Sequence, residues 1–388
     1  MDRAIQYRRR TLFVFFFLIG LSMASWITRT PAIRDGLGIN LADMGLVLFG
    51  LSLGSMFGIL SAGWLVARFG TRRITQLGLW LVVASLVTIG LGITIALPPV
   101  VGLGLMFFGL GMGTAEIAVN VDGADIEHST KTHLLHALHG CYSLGTVCGA
   151  LLGMVLNAAE FSVVLHLWAI AALAIVPILR FMRYLPASLG MAGTGIAAAT
   201  PETPVWRDTR LYFIGFIVLA MALAEGAAND WLPLLMVDEF SLNPTSASAI
   251  FLGFAAAMTI GRFAGGFFLR HFGRKRVMFS SAVIGAAGLT IVISSGNPTL
   301  AGGAVLLWGL GTSLGFPVAI SAAGDSGPNP VGRVRLVSVS GYIAFLVGPP
   351  LLGFVGEAYS LRNAMAIVLS LVVLAAVATL SVGSAATK

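Results

Sequence analysis

Two carboxyl and amide pairs in this chain have the spacing of neighbours on one helix face. Glu116 precedes Asn120 by four residues, and Glu225 precedes Asn229 by four residues, within segments that are otherwise apolar. Residues at positions i and i+4 lie on the same side of a helix. Ionisable groups inside a membrane are costly, so those that occur there are candidates for function. Glu225 and Glu116 are predicted to bind and release protons, with Asn120 and Asn229 as substrate contacts; the alternative is a structural carboxyl group bonded to its own helix or a neighbour.

Polar and aromatic residues near the ends of these segments are further candidates for substrate binding. Trp26 and Trp231 are suited to stacking on a sugar ring, or they anchor their helices at the membrane interface. Arg29 either pairs with an acid or extends to the membrane surface. Asp230 lies about 140° around the helix from Glu225, and it acts at an outer gate or is simply solvated.

Three histidines, His133, His136 and His139, are spaced by three residues at the start of one helix. Such a stripe is suited to binding a divalent metal, but a polar helix entry is the preferred interpretation, so we predict no metal and no cofactor. His139 and Tyr142 lie deep enough to be substrate candidates. The sequence has no metalloprotease, phosphate-loop or nucleophile-elbow motif, so it predicts neither an enzyme nor an ATP-driven pump.

Apolar segments position these residues and fill the chain almost from end to end. Of its 388 residues 57% are hydrophobic and 10% are charged. Each segment has about the length that crosses a bilayer as a helix, and the alternating pattern of a barrel strand is absent. The twelve predicted spans are 11–30, 42–66, 74–96, 99–121, 135–157, 161–184, 210–233, 245–268, 275–295, 298–322, 334–356 and 362–384. The sequence therefore predicts an all-α integral membrane protein in contact with the lipid bilayer.

The positive charge of the chain is distributed unevenly along it. A net charge of +7 would suit a nucleic-acid partner, but of the 23 lysines and arginines only Arg29, Arg34 and Arg362 fall on the side of the membrane opposite the N-terminus. The positive-inside rule turns this asymmetry into an orientation. Both termini, including Lys388, are predicted to be cytoplasmic, and no nucleic acid is expected to bind.

The second half of the sequence repeats the first. A shift of 200 positions aligns Asp125 with Asp325 and Tyr142 with Tyr342, and GWLVARFGTRR at 63–73 matches GFFLRHFGRKR at 266–276. Parallel repeats of this kind occur in one large class of secondary transporters. We predict two six-helix halves in the same orientation, residues 1–185 and 209–388. A flexible cytoplasmic linker rich in glycine and proline would join them over residues 186–208.

The repeated loops and the twelve spans resemble the major facilitator superfamily over nearly the whole chain. The loop motif of that family, Gly-x-Leu-x-Asp-Arg-x-Gly-Arg-Arg/Lys, is matched by Gly63, Leu65, Arg68, Gly70 and Arg72. Ala67 stands where the family usually has Asp, and Arg270 stands there in the second copy. The resemblance implies gating loops in both halves. Their predicted residues are Gly63, Arg68, Gly70 and Arg72 in the first copy and Gly266, Gly273 and Arg274 in the second.

Two segments are similar to one branch of this superfamily, the branch of YbjJ and the rhizopine transporter MosC. They are MASWITRTPAIRD at 23–35 and EGAANDWLP at 225–233. This resemblance implies a small polar solute, with sugar-like molecules and amino-cyclitols as candidates. We expect a monomer in a bacterial-type inner membrane, with homodimerisation through span two as the alternative. In the family fold, spans one, four, seven and ten line a central cavity, so both carboxyl and amide pairs are expected to face it.

Two ridges of glycines at four-residue spacing are typical of closely packed membrane helices. They are Gly50, Gly54 and Gly58 in span two and Gly145, Gly149 and Gly153 in span five. The family fold places these spans at the contact between the halves, so the ridges are predicted to let the halves rock; packing against a neighbouring helix is the alternative.

Taken together, these patterns predict a secondary transporter that moves a small solute by alternating access and couples this to protons through Glu225, Glu116 or both. An exporter of amphiphilic drugs or metabolites is the first alternative. A sensor or channel of the same fold without active transport is the second.

Overall fold

The computed structural model describes residues 3–130, 134–191, 205–327 and 329–381, which form helices joined by short turns. Lys131, His133, Lys388 and residues 192–204 of the predicted linker lie outside the described residues, as does the side chain of His136. The helices are α1 Arg3–Ile27, α2 Thr30–Leu37, α3 Leu41–Phe69, α4 Thr71–Thr94, α5 Pro98–Thr130, α6 Leu135–Ala158, α7 Val163–Phe181, α8 Thr209–Phe240, α9 Pro244–Ser294, α10 Pro298–Gly324, α11 Pro330–Tyr359 and α12 Leu361–Ser381.

All twelve predicted spans fall on helices, although the structure divides them differently. Eleven helices of the described chain are long and apolar enough to cross a membrane. One of them, α9, has 51 residues and contains the spans predicted at 245–268 and 275–295, which meet at a non-helical Gly273. The short helix α2 was not predicted; it begins with Pro31 in its first turn and ends at Gly38, whose φ of 63° reverses the chain.

The chain forms two compact units, residues 1–198 and 199–388, with the boundary inside the predicted linker. In the first unit α5 packs against α3 and α4, α1 packs against α6, and α7 packs against α4 and α1. A small apolar cluster of Val66, Ile74 and Ala118 joins α3, α4 and α5. Helix α1 is the most enclosed of these spans, because most of its apolar stretch is buried by protein.

The second unit repeats the same pairing of helices. Helix α10 packs against both parts of α9, α8 packs against α11 and α12, and α12 packs against α9. Trp308 lies edge-on to Phe254 with ring centroids 5.9 Å apart, and its indole Nε1 donates to the carbonyl oxygen of Ala224 at 3.1 Å. This bond fixes α10 against α8. The matching helix pairs agree with the repeat seen in the sequence.

The glycine ridges lie at contacts inside the first unit, which corrects their assignment to a surface between halves. A Cβ atom added at Gly54 would overlap the carbonyl oxygen of Met106 in α5, and one added at Gly149 would overlap that of Leu21 in α1. Gly50 and Gly58 also meet α5, Gly145 also meets α1, and Gly153 meets Thr28 just after the end of α1. These glycines allow α3 to approach α5, and α6 to approach α1, at backbone distance.

Candidate functional site

Glu225 forms an ion pair in the middle of the second unit. It lies halfway along α8, and its Oε1 accepts a hydrogen bond from Nη2 of Arg262 in α9 at 2.8 Å. The two side chains are 18% and 30% exposed. The sequence analysis placed Arg262 among the cytoplasmic charges, but it lies far inside its helix and pairs with Glu225. The sequence could have identified Arg262 as a candidate, because it is an ionisable residue within a predicted span, as Glu225 is.

Asn229, Asp230 and Trp231 follow Glu225 on α8. Asn229 is half-buried, and Asp230 is buried without a hydrogen bond or an ion pair to any described residue, so the interpretation of Asp230 as a solvated group is wrong. Trp231 is fully buried and its Nε1 has no partner. It is enclosed by protein and does not anchor the helix at a membrane interface. This stretch therefore holds one ionisable group and one indole donor that the described residues leave unpaired.

Glu116 and Asn120 lie one turn apart on α5 in the first unit. Both are half-buried, and the Oδ1 atom of Asn120 is covered but accepts no hydrogen bond. An amide oxygen in that state is available to a donor on a ligand. Glu225 and Glu116 therefore belong to different units.

The end of α1 carries a buried cluster that the sequence analysis found only in part. Trp26 and Arg29 are 1% and 2% exposed, so neither lies at the membrane surface. Nε of Arg29 donates to Nδ1 of His166 at 3.1 Å, and Nη1 donates to Oδ1 of Asn157. Both partners are neutral, which corrects the expectation that Arg29 pairs with an acid or reaches the surface. Asn157 and His166 flank the turn between α6 and α7, and sequence separation hid their proximity to Arg29.

His139 and Tyr142 lie on α6 facing different surroundings. His139 is exposed and its ring meets the edge of Phe16 at a centroid distance of 5.3 Å, whereas Tyr142 is half-buried. The backbone oxygen of Tyr142 lies against Gly20 of α1. Among the residues that the structure describes, no group of three or more metal-binding side chains comes together.

The predicted gating loops contain one repeated turn and two different sets of ion pairs. Gly70 and Gly273 both have a positive φ, while Gly63 and Gly266 are exposed. Arg68 is exposed above the ring of Phe69, and Arg72 is half-buried. In the second copy, Nη1 of Arg274 binds Oδ2 of Asp325 at 2.5 Å.

The first copy has a carboxylate beside it that the sequence analysis did not single out. Asp122 of α5 is fully buried, and it accepts hydrogen bonds from Nε of Arg8 at 2.5 Å and from Oγ1 of Thr71 at 3.3 Å. Arg8 also binds Asp125 at 2.8 Å. The aligned residues Asp125 and Asp325 therefore both hold an arginine.

Comparison with known proteins places the chain in a family. The profile of the Major Facilitator Superfamily matches residues 11–334 and 214–386. An uncharacterized MFS-type transporter of Yersinia pestis is 29% identical over 357 residues, covering 90% of this chain and 89% of that protein. The membrane protein MosC of Rhizobium meliloti is 27% identical over 373 residues, which cover 94% of this chain and 87% of MosC.

Solved structures share the fold. The nucleoside transporter NupG superposes with a TM-score of 0.72 at 17% identity. The superposition covers 97% of this chain and 98% of the NupG chain. The E. coli fucose:proton symporter FucP gives a TM-score of 0.64 at 17% identity, and the superposition covers 98% of this chain and 100% of the FucP chain. With its helical membrane spans, its internal repeat and a family match that extends over nearly its whole length, the chain belongs to the Major Facilitator Superfamily of transporters.

Proposed function

We propose that this secondary transporter couples the movement of a small polar solute to protons, by alternating access, as a monomer in a bacterial inner membrane. The solute classes that we favour are sugar-like molecules and amino-cyclitols. The observation that carries the coupling is the ion pair between Glu225 and Arg262. Glu116 is the second proton-binding candidate, while Asn120, Asn229, Asp230 and the two tryptophans are proposed solute contacts.

Protonation of Glu225 would change the energy of this pair. A protonated carboxyl group no longer attracts the guanidinium charge of Arg262 as a carboxylate does, so protonation weakens this pair. The protein would then favour a conformation whose stability depends less on this pair. A ligand shifts a conformational equilibrium only by binding two states differently, and a proton at Glu225 meets that requirement.

The names of similar proteins support a polar solute. FucP is a fucose:proton symporter and NupG transports nucleosides, and both kinds of solute carry hydroxyl groups on a ring. Trp26 and Trp231 each keep an indole donor without a partner, and an aromatic face with a free N–H suits a sugar-like ring. These features lie on the first helix of each unit.

The coupling is tested with purified protein in proteoliposomes under an imposed pH gradient. Radiolabelled fucose, uridine and an amino-cyclitol serve as probes. We expect accumulation that a protonophore abolishes. In E225Q the accumulation should fail, whereas exchange of labelled for unlabelled solute should continue and depend less on pH.

The matched control is E239Q, on the same helix. The Oε2 atom of Glu239 lies 3.9 Å from Nε of Arg362 and its side chain is also 18% exposed, but it stands at the end of α8. E239Q should retain accumulation. If E225Q folds poorly, the double variant E225Q/R262Q removes both charges of the pair and repeats the test. Full pH-dependent accumulation by E225Q at wild-type levels would contradict the assignment.

The orientation is a separate proposal that follows from the charge asymmetry. We propose that both termini are cytoplasmic, with the linker on the same side. Reporter fusions after Lys388 and within 190–200 should be active as cytoplasmic fusions, and one near residue 38 should report the opposite side. A linker fusion on the outer side would refute the proposed topology.

A further inference from the structure

We propose that Arg29 and His166, oriented by Asn157, form a binding site for an anionic group, a carboxylate or another oxyanion. If the protein transports solute as proposed above, this site assigns a negative charge to that solute. The binding itself does not depend on proton coupling. The cluster lies at the C-terminal end of α1.

The backbone at this point holds Arg29 away from α1. The helix ends at Ile27, the N–H of Arg29 bonds to the carbonyl of Trp26 at 2.9 Å, and α2 starts at Thr30. Arg29 therefore occupies a turn between two helices, from which its side chain reaches α6 and α7. Asn157 is itself held in place, because its Nδ2 donates to the carbonyl of Thr28 at 3.1 Å.

No described acid balances the charge of Arg29. Among the residues that the structure describes, no carboxylate lies within 4.0 Å of its guanidinium group. Asp35 is exposed and pairs with Arg34 at 2.9 Å, and Glu160 is exposed at the turn after α6. A charge that is 2% exposed and has only neutral partners is unfavourable unless an anion joins it.

The unused atoms of the cluster are all donors. Nη2 of Arg29 and Nε2 of His166 are buried without a hydrogen-bond partner. Because Nδ1 of His166 accepts from Arg29, the ring proton of neutral His166 must be on Nε2. The unpartnered atoms of the cluster therefore offer a positive charge and two donor nitrogens, and neither of them is an acceptor. This combination suits an oxyanion and excludes a cation.

Both free donors are covered in this conformation, so an anion must reach them when the end of α1 opens during the transport cycle. In that state an oxyanion would restore the hydrogen bonds and the charge balance that the closed cluster lacks. A charge-assisted hydrogen bond from a guanidinium group is about twice as strong as a neutral one. The anion would therefore favour the open state over the closed one.

The test is thermal unfolding of the whole purified protein in nanodiscs, at neutral pH and constant ionic strength. Acetate and nitrate probe the anion alone, and glucuronate is compared with glucose because the two differ in one carboxylate. We expect the anions to raise the melting temperature of the wild type and glucose to leave it unchanged. R29Q should weaken anion binding at least about tenfold. The control R34Q, which removes a half-buried arginine of α2 that pairs with Asp35, should bind as the wild type does.

The ligand-free stability of R29Q separates binding from a packing role. Removing a buried charge that no acid balances should leave the melting temperature equal or higher. If no anion stabilises the wild type and R29Q melts lower, Arg29 acts in packing alone and the site is refuted. Equal anion effects in the wild type and R29Q would also refute it. Anion binding without proton-driven accumulation would refute only the proposed coupling, and the reverse result would refute only this site.

Discussion

Gly70 and Gly273 have the same backbone conformation, with φ and ψ of 81° and 159° in the first and 73° and 162° in the second. They occupy equivalent positions in the two copies of the repeated loop. Residues with a side chain avoid this region, which is used almost only by glycine. The repeat in the sequence therefore preserves one particular turn in each unit.

These two turns differ in their surroundings, and alanine substitutions should show it. A Cβ atom at Gly70 would lie 2.5 Å from the carbonyl oxygen of Ala187, whereas Gly273 has no atom within 4 Å of that position. G273A should cost only the backbone strain, about 1–3 kcal/mol. G70A should lower the melting temperature further, because its side chain also collides with the chain after α7. Equal losses would contradict the role of Ala187.

Substitutions in the glycine ridges should act mainly by lowering the stability of the fold. In G54A the new methyl group meets the backbone of α5, and overpacking of this kind costs about 1–3 kcal/mol. Gly63 on the same helix has no atom within 4 Å, so G63A should be neutral or stabilising. Yield of folded protein and melting temperature are the measurements. A stable but inactive G54A would instead favour movement along this surface.

Two buried tryptophans of the second unit form a matched pair. Trp308 donates to Ala224, whereas Nε1 of Trp231 has no partner. W308F should lose about 0.5–1.5 kcal/mol for the hydrogen bond in addition to its packing loss. W231F should lose packing alone, so its melting temperature should fall less. If the free indole donor contacts the solute, W231F should also weaken solute binding while W308F does not.

The ion pair of Asp208, at the N-terminal end of α8, makes the stability of the folded protein depend on pH. Its carboxylate accepts a hydrogen bond from Arg333 at 2.7 Å, and this bond holds the pKa of Asp208 below its usual value. A lowered pKa in the folded state contributes stability above the unfolded pKa of about 3.9. That contribution is lost as pH falls through the folded pKa.

D208N should therefore melt below the wild type at neutral pH, and the difference should shrink in acid. The asparagine oxygen can keep the helix cap to the N–H of Arg210, so the change removes the charge and the acceptor for Arg333 while the cap stays. Melting curves between neutral pH and the acid limit of folding measure the effect. A constant difference across this range would show that Arg333 does not set the titration.

The sequence by itself determined where the helices cross the membrane. Lipid offers the backbone no hydrogen-bond partners, so each apolar run of about 20 residues must satisfy its own amides as a helix. This requirement is local, and hydropathy along the chain expresses it directly. The paired glycine turns were also visible as repeated letters, because the conformation of Gly70 and Gly273 excludes a side chain.

Only the tertiary structure decided which side chains meet. Arg262 reaches Glu225 across 37 positions and His166 reaches Arg29 across 137, and both contacts depend on how each helix is rotated against its neighbours. Gly54 likewise faces α5 within its own unit because of that rotation. In lipid the hydrophobic effect does not fix the orientation of a helix, so close packing and polar bonds between helices decide it. Those interactions join residues far apart in the chain, and hydropathy carries no record of them.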